Sequence, residues 1–227
     1  HMTKMLTAEE IRAAKAENAK MRDRDLADHL GISEAALLAA QVGAGATRIA
    51  ADPDAVMEKL GRLGEVMALT RNESCVLERV GTFGEYHSGQ HASMVLGKEI
   101  DTRIFPKHWS FGFAVEKETD SGLRRSLQFF DAAGDALQKI HLRDTSDHAA
   151  WAPLVAELAL DDQSGEIETA PRPATEGAKM NADKREILME EWGRMTDTHQ
   201  FNRLVSKLGM NRLGAYRSAD PRWVRAV

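Results

Sequence analysis

Trp109-Ser110-Phe111-Gly112-Phe113-Ala114-Val115-Glu116 alternates apolar with small or polar residues at a period of two. A half-buried strand has that period, because successive side chains point to opposite faces. Leu123 to Phe130 and Ala136 to Leu142 read the same way. Between them, Asp131-Ala132-Ala133-Gly134-Asp135 is a short hairpin loop, with Gly134 available for positive φ. Upstream, residues 65–71, 75–81 and 91–105 supply further strands, punctuated by glycines at 81, 84, 89 and 97. Short strands in succession, without helices between them, predict an antiparallel sheet and the α+β class.

On either side of the strands the chain reads as helical. Residues 3–63 form an N-terminal helical region. Thr7-Ala8-Glu9-Glu10 is a capping box. A second helix spans Asp23–Leu30 and stops at Gly31, and Ser33 starts a third. Asp52-Pro53-Asp54 opens a fourth, running to about Leu63, with Pro53 at the first helical position. Residues 64–160 hold the sheet and a closing helix carrying Trp151, Leu154, Val155 and Leu158. Residues 161–182, with Pro171 and Pro173, read as a linker, and 183–227 as two or three short helices.

The 227 residues are 43% hydrophobic and 29% charged, ordinary for a globular protein. His1-Met2 reads as an expression remnant. No apolar run approaches the roughly 18 residues of a spanning helix, and no signal peptide is visible, so a cytoplasmic location without membrane insertion is expected. The single Cys75 excludes an internal disulfide and any Cys-based zinc or iron–sulfur site within one chain. Cys75 itself reads as a packing residue of a strand. The net charge of −5 argues against a whole-molecule nucleic-acid field. Residues 183–227 nevertheless hold nine Lys/Arg against six Asp/Glu, which suits either an anionic ligand or a solvated helical surface.

Three motifs carry less than they promise. Residues 24–40 scan like a helix-turn-helix around Gly31. A helix reading DNA needs Arg, Lys, Asn or Gln, and residues 33–40 offer Ser33, Glu34, Ala and Leu. A plain helical hairpin is the better reading. His87-Ser88-Gly89-Gln90-His91 has a metal-ligand spacing only on a helix, and its glycine points to a turn. Val42-Gly43-Ala44-Gly45-Ala46 follows no strand and lacks a third glycine, so it is no dinucleotide fingerprint.

Two segments hold candidate binding residues. In Asp101-Thr102-Arg103-Ile104-Phe105, alternation puts Asp101, Arg103 and Phe105 on one face. A cation beside an aromatic ring suits a flat, partly anionic ligand, while a surface Arg103–Asp101 pair explains the same pattern. In Met195-Thr196-Asp197-Thr198-His199-Gln200-Phe201, a Thr or Asp caps a helix beginning near His199. At about 100° per residue, Phe201, Leu204, Val205 and Leu208 centre opposite His199. That argues against a core histidine and leaves a solvated one or one facing a cleft. A helix N-terminus disfavours imidazolium, so the ring stays neutral and fit to bind a metal.

These segments together resemble the HemS-type haem transport and haem-degrading factors of bacterial haem uptake. The matching stretches are Ala27–Ala35, Gly64–Asn72, Asp101–Phe105, Ser126–Asp131 with Gly134–Leu137, and Met195–Phe201, in the family's order across nearly the whole chain. The resemblance implies a large antiparallel sheet carrying helices. It implies haem (iron protoporphyrin IX) as ligand, with His199 as axial ligand of the iron. It assigns Arg103, Phe105 and Arg212 to the haem pocket. Haem chemistry agrees: one neutral imidazole, an apolar slot for the macrocycle, and cations for two propionates. One departure is that full-length relatives are two tandem repeats, and this chain stops at Val227, about where the second should begin. A truncation and a homodimer that completes the site both fit that departure.

The leading expectation is a cytoplasmic haem-binding protein that carries haem from an importer to a degrading enzyme such as a haem oxygenase. The second is a haem-degrading enzyme that releases iron, with electrons from elsewhere, since the sequence has no flavin or nicotinamide fingerprint. The third is a DNA-binding regulator acting through residues 24–40.

Overall fold

A computed structural model of the chain describes residues 5–71, 76–87, 93–96, 102–104, 108–172, 184, 185, 187–189 and 198–210. Compact units span His1–Arg172 and Pro173–Val227.

The first unit opens with helices α1 (Ala8–Glu17), α2 (Asp23–Leu30) and α3 (Glu34–Ala39). Their ends follow the capping chemistry of the sequence. The Thr7 hydroxyl accepts from the Glu10 amide at 3.2 Å, and the Ser33 hydroxyl from the Ala36 amide at 3.0 Å. Gly31 closes α2. Strand β1 (Ala46–Ile49) follows, then α4 (Pro53–Val56), which tightens into a 3-10 segment over Met57–Leu63. The remaining strands are β2 (Glu65–Arg71), β3 (Val76–Thr82), β4 (Glu85–His87), β5 (Ser93–Leu96), β6 (Thr102–Ile104), β7 (Phe111–Thr119), β8 (Gly122–Phe130) and β9 (Ala136–Leu142). A short 3-10 turn, His148–Ala150, leads into α5 (Trp151–Leu158).

The strands form two sheets: six strands in the order β1-β7-β8-β9-β2-β3, and three in the order β4-β5-β6. Among the described residues, every pairing between these strands is antiparallel. The fold is therefore α+β, as the alternation predicts. One face of the larger sheet presents Val66, Ala68, Leu127, Phe129, Ile140 and Leu142 to the core, against Met57, Leu60, Leu63, Trp151, Leu154 and Leu158. Trp109 stacks on Phe129 with ring centroids 4.2 Å apart. The other face sets Phe113 and Phe130 edge to face, at 5.9 Å, beneath Ala35, Leu38 and Ala39 of α3. Each such fully buried large side chain contributes roughly 1.5–3 kcal/mol.

The structure departs from the sequence reading at three places. Ala46–Ile49, inside the stretch read as helical, is a strand paired with β7. Gly43 and Gly45 interrupt any helix there, and Thr47 and Ile49 are β-branched, which suits a pleated edge. Residues 57–63 form a 3-10 segment rather than more α-helix. Residues 161–172, read as linker, dock on the first unit. Ile167 packs against the α3–sheet cluster, the Ala170 amide donates to the Ala132 carbonyl at 2.8 Å, and Arg172 forks onto both oxygens of Asp135 at 2.8 and 2.7 Å.

The second unit contains helix α6 (Thr198–Lys207). Val205, Leu208 and Met210 are buried with Leu188, and Leu204 packs against them.

Candidate functional site

The helix-turn-helix reading meets a packing obstacle. α3 has six residues, and five of them, Glu34, Ala35, Leu37, Leu38 and Ala39, are buried. Leu37 packs with Ile11, Leu26 and Ala27 of α1 and α2, while Ala35, Leu38 and Ala39 face the sheet. Glu34 pairs with Lys139 of β9, their side chains 8% and 16% exposed. α3 is thus wedged between helices and sheet and carries no cation, so it has no face to lay in a DNA groove.

His199 is the second residue of α6. Leu204, Leu208 and Val205 lie about 140°, 180° and 240° round the helix from position 199. Those three form the packed side, so position 199 falls on the opposite side of α6 from its core. The position is also in the first helical turn, where the positive end of the helix dipole favours a neutral imidazole. α6 ends at Lys207, and Gly209 takes φ 68°, a left-handed conformation that suits glycine. The Gly209 amide donates to the Ser206 carbonyl at 3.0 Å and the Met210 amide to the Val205 carbonyl at 2.9 Å. α6, which carries position 199, therefore ends at this turn.

Arg103 is the middle residue of β6, opposite Met94 of β5. It belongs to the first unit and His199 to the second. Phe105 and Arg212, the other pocket residues expected from the sequence, lie outside the described residues, as do Cys75 and His91. His87 ends β4. Among the described residues, no three His, Cys, Asp or Glu side chains group as a metal chelate, and no helix is long and apolar enough to cross a membrane. A single axial imidazole needs no such chelate.

Three polar groups of the first unit escaped the sequence reading. Arg125 donates from Nη1 to His148 Nδ1 at 3.2 Å and from Nε to Glu116 at 3.2 Å, and its guanidinium lies 6.0 Å from the Trp151 ring centroid. His148 Nε2 bonds the Arg143 carbonyl at 2.8 Å. Both ring nitrogens are thereby engaged, as Nε2–H donor and Nδ1 acceptor, which fixes His148 as part of the frame around α5. Glu34–Lys139 ties the start of α3 to β9. His141, on β9 between Ser126 and Met67, is held below the usual imidazole range by burial and then by the neighbouring Lys139, with Glu78 opposing. The sequence pattern hides all three, because each depends on neighbours from other elements that only the folded chain brings together.

The chain was compared with known proteins. Residues 31–158 match the family described as the haemin-degrading HemS/ChuX domain. The hemin transport protein HmuS of Yersinia pestis is 37% identical over 206 residues, 90% of this chain and 59% of that protein. The crystal structure of holo-PhuS, a heme-binding protein from Pseudomonas aeruginosa, superposes with a TM-score of 0.76 at 37% identity, covering 95% of this chain and 64% of that one. The heme degrading enzyme ChuS of Escherichia coli O157:H7 gives 0.70 at 31% identity, over 94% of this chain and 63% of that one. The chain thus spans about three fifths of the length of these relatives. On sequence and fold alike, the chain belongs to the HemS/ChuX haemin-degrading domain family.

Proposed function

We propose that this chain binds haem and carries it in the cytoplasm after uptake, with His199 as axial ligand of the iron. The observation that carries the reading is the place of position 199. It lies in the first turn of α6, on the side away from Leu204, Val205 and Leu208, in a chain whose relatives include a holo heme-binding protein. A helix N-terminus disfavours imidazolium, which suits a ring that must meet iron in its neutral form. Arg103 and Arg212 supply cations toward the propionates, and Phe105 supplies apolar surface for the macrocycle. An importer upstream and a haem-degrading enzyme downstream are the partners this role requires.

Titration of the full chain with hemin tests the reading. A saturable Soret band is expected, which His199→Ala shifts and weakens. Ligation needs the unprotonated ring, so affinity falls as the pH drops through the imidazole range. A second reading, opening of the porphyrin with release of iron, is favoured by the Escherichia coli relative described as a heme degrading enzyme. Added reductant separates the two: the Soret band persists for a carrier and bleaches to a linear tetrapyrrole for an enzyme.

A further inference from the structure

The resemblance assigns a pocket cation to Arg212, but α6 stops at Lys207 and turns left-handed at Gly209. Arg212 itself lies outside the described residues. The cation that α6 itself places beside that position is Arg203. It is four residues on, about 40° round the helix, so the two Cβ atoms lie about 5–6 Å apart along one stripe. Ser206 continues the stripe at about 340°, and Leu204, Val205 and Leu208 are all on the other side. Arg203 is exposed, and it makes no ion pair among the described residues. It is an available guanidinium one helical turn from the proposed iron ligand.

We propose that Arg203 is a propionate-binding residue, which selects the dianionic macrocycle over its neutral ester. The inference rests on the haem reading of His199. An axial imidazole places the macrocycle across the stripe, and a helix running beneath a porphyrin carries its next turn toward the rim. The carboxylates hang from that rim. A guanidinium suits this task, because its planar fork can give two parallel N–H bonds to one carboxylate and keeps its charge at any working pH. The pairing should depend on salt, since Arg203 is exposed.

The test uses the full chain, titrated separately with hemin and hemin dimethyl ester. Wild type should prefer the free acid. Arg203→Ala should cut that preference by about tenfold, the size of a partly exposed charge-assisted pair, while ester affinity and Soret position stay unchanged. Arg203→Lys should recover part of the loss, and added salt should shrink the wild-type preference more than that of Arg203→Ala. An unchanged acid-to-ester preference in Arg203→Ala, with hemin still bound through His199, overturns the role of Arg203 alone. Hemin binding indifferent to His199→Ala overturns the haem reading of α6, and the role of Arg203 with it. Circular dichroism of α6 variants, matched to wild type, confirms that the helix is intact in each comparison.

Discussion

Replacing Gly134 with alanine tests how α3 is seated on the sheet. Gly134 lies in the β8–β9 loop at φ 85°, where an L side chain costs roughly 1–2 kcal/mol. A Cβ at this position would also overlap Ser33, at both Oγ and Cβ. Ser33 is the N-cap of α3, worth about 1 kcal/mol, and the Gly134 carbonyl accepts from the Ala35 amide at 3.2 Å. The overlap cannot be relieved without moving the cap, so the two costs combine to roughly 2–4 kcal/mol. For a protein of this size that lowers the melting temperature by roughly 5–15 °C. Thermal melts and urea titrations, followed by far-ultraviolet circular dichroism, read the loss. Glycine is a tolerable N-cap, so Ser33→Gly in the Gly134→Ala background removes both clashing atoms and should restore about 1–2 kcal/mol. A Gly134→Ala protein within about 0.5 kcal/mol of wild type, or no recovery in the double variant, would refute the argument.

Glu34→Ala should destabilise by about 1–3 kcal/mol, because it leaves the half-buried Lys139 ammonium unpaired, whereas Glu34→Met with Lys139→Met should recover most of that; a double-mutant cycle by urea unfolding reads the coupling. The Arg62–Glu157 pair, at 2.7 Å but about half exposed on both sides, should contribute under about 1 kcal/mol by the same measurement. His141 binds its proton less readily when folded than its ordinary 6.5, so the unfolded chain takes up more protons as the pH falls. Stability held above 6.5 should decline as the pH drops below it, through the depressed folded value, and His141→Gln should flatten melting temperature against pH below 6.5. Hemin should raise the melting temperature of the wild-type chain in a concentration-dependent way, and His199→Ala should lose most of that increase.

The parts of the fold legible in the sequence are those that local chemistry decides. The alternation from Trp109 to Glu116 becomes β7, and the Asp131–Asp135 loop becomes the β8–β9 hairpin. Thr7, Ser33 and Asp52 cap the helices they precede. Strand β1 was hidden because four residues are too few to show a period, and what makes them a strand is the neighbouring edge of β7. The docking of residues 161–172 was hidden for a similar reason. Proline and acidic residues look like linker composition, and the contacts of Ile167 and Arg172 are made to distant parts of the chain. At the candidate site, the amphipathic pattern of α6 was readable, and its buried side is the one that the helical angles give. The choice of His199 over any other polar-face residue rests on the resemblance of its motif, since periodicity alone favours a solvated histidine. Arg203 needed the span and the packed side of α6 to be known before it could be placed one turn from position 199.

Ligand rescue at position 199 tests the central claim most directly. His199→Gly removes the imidazole from the first turn of α6 and leaves room for a free one to take its place. Hemin bound to this variant should show an altered Soret band, and millimolar imidazole should return the band to the wild-type position and tighten binding, with no effect on the wild-type spectrum. A His199→Gly protein whose hemin spectrum and affinity match wild type before any imidazole is added would show that the iron is held elsewhere.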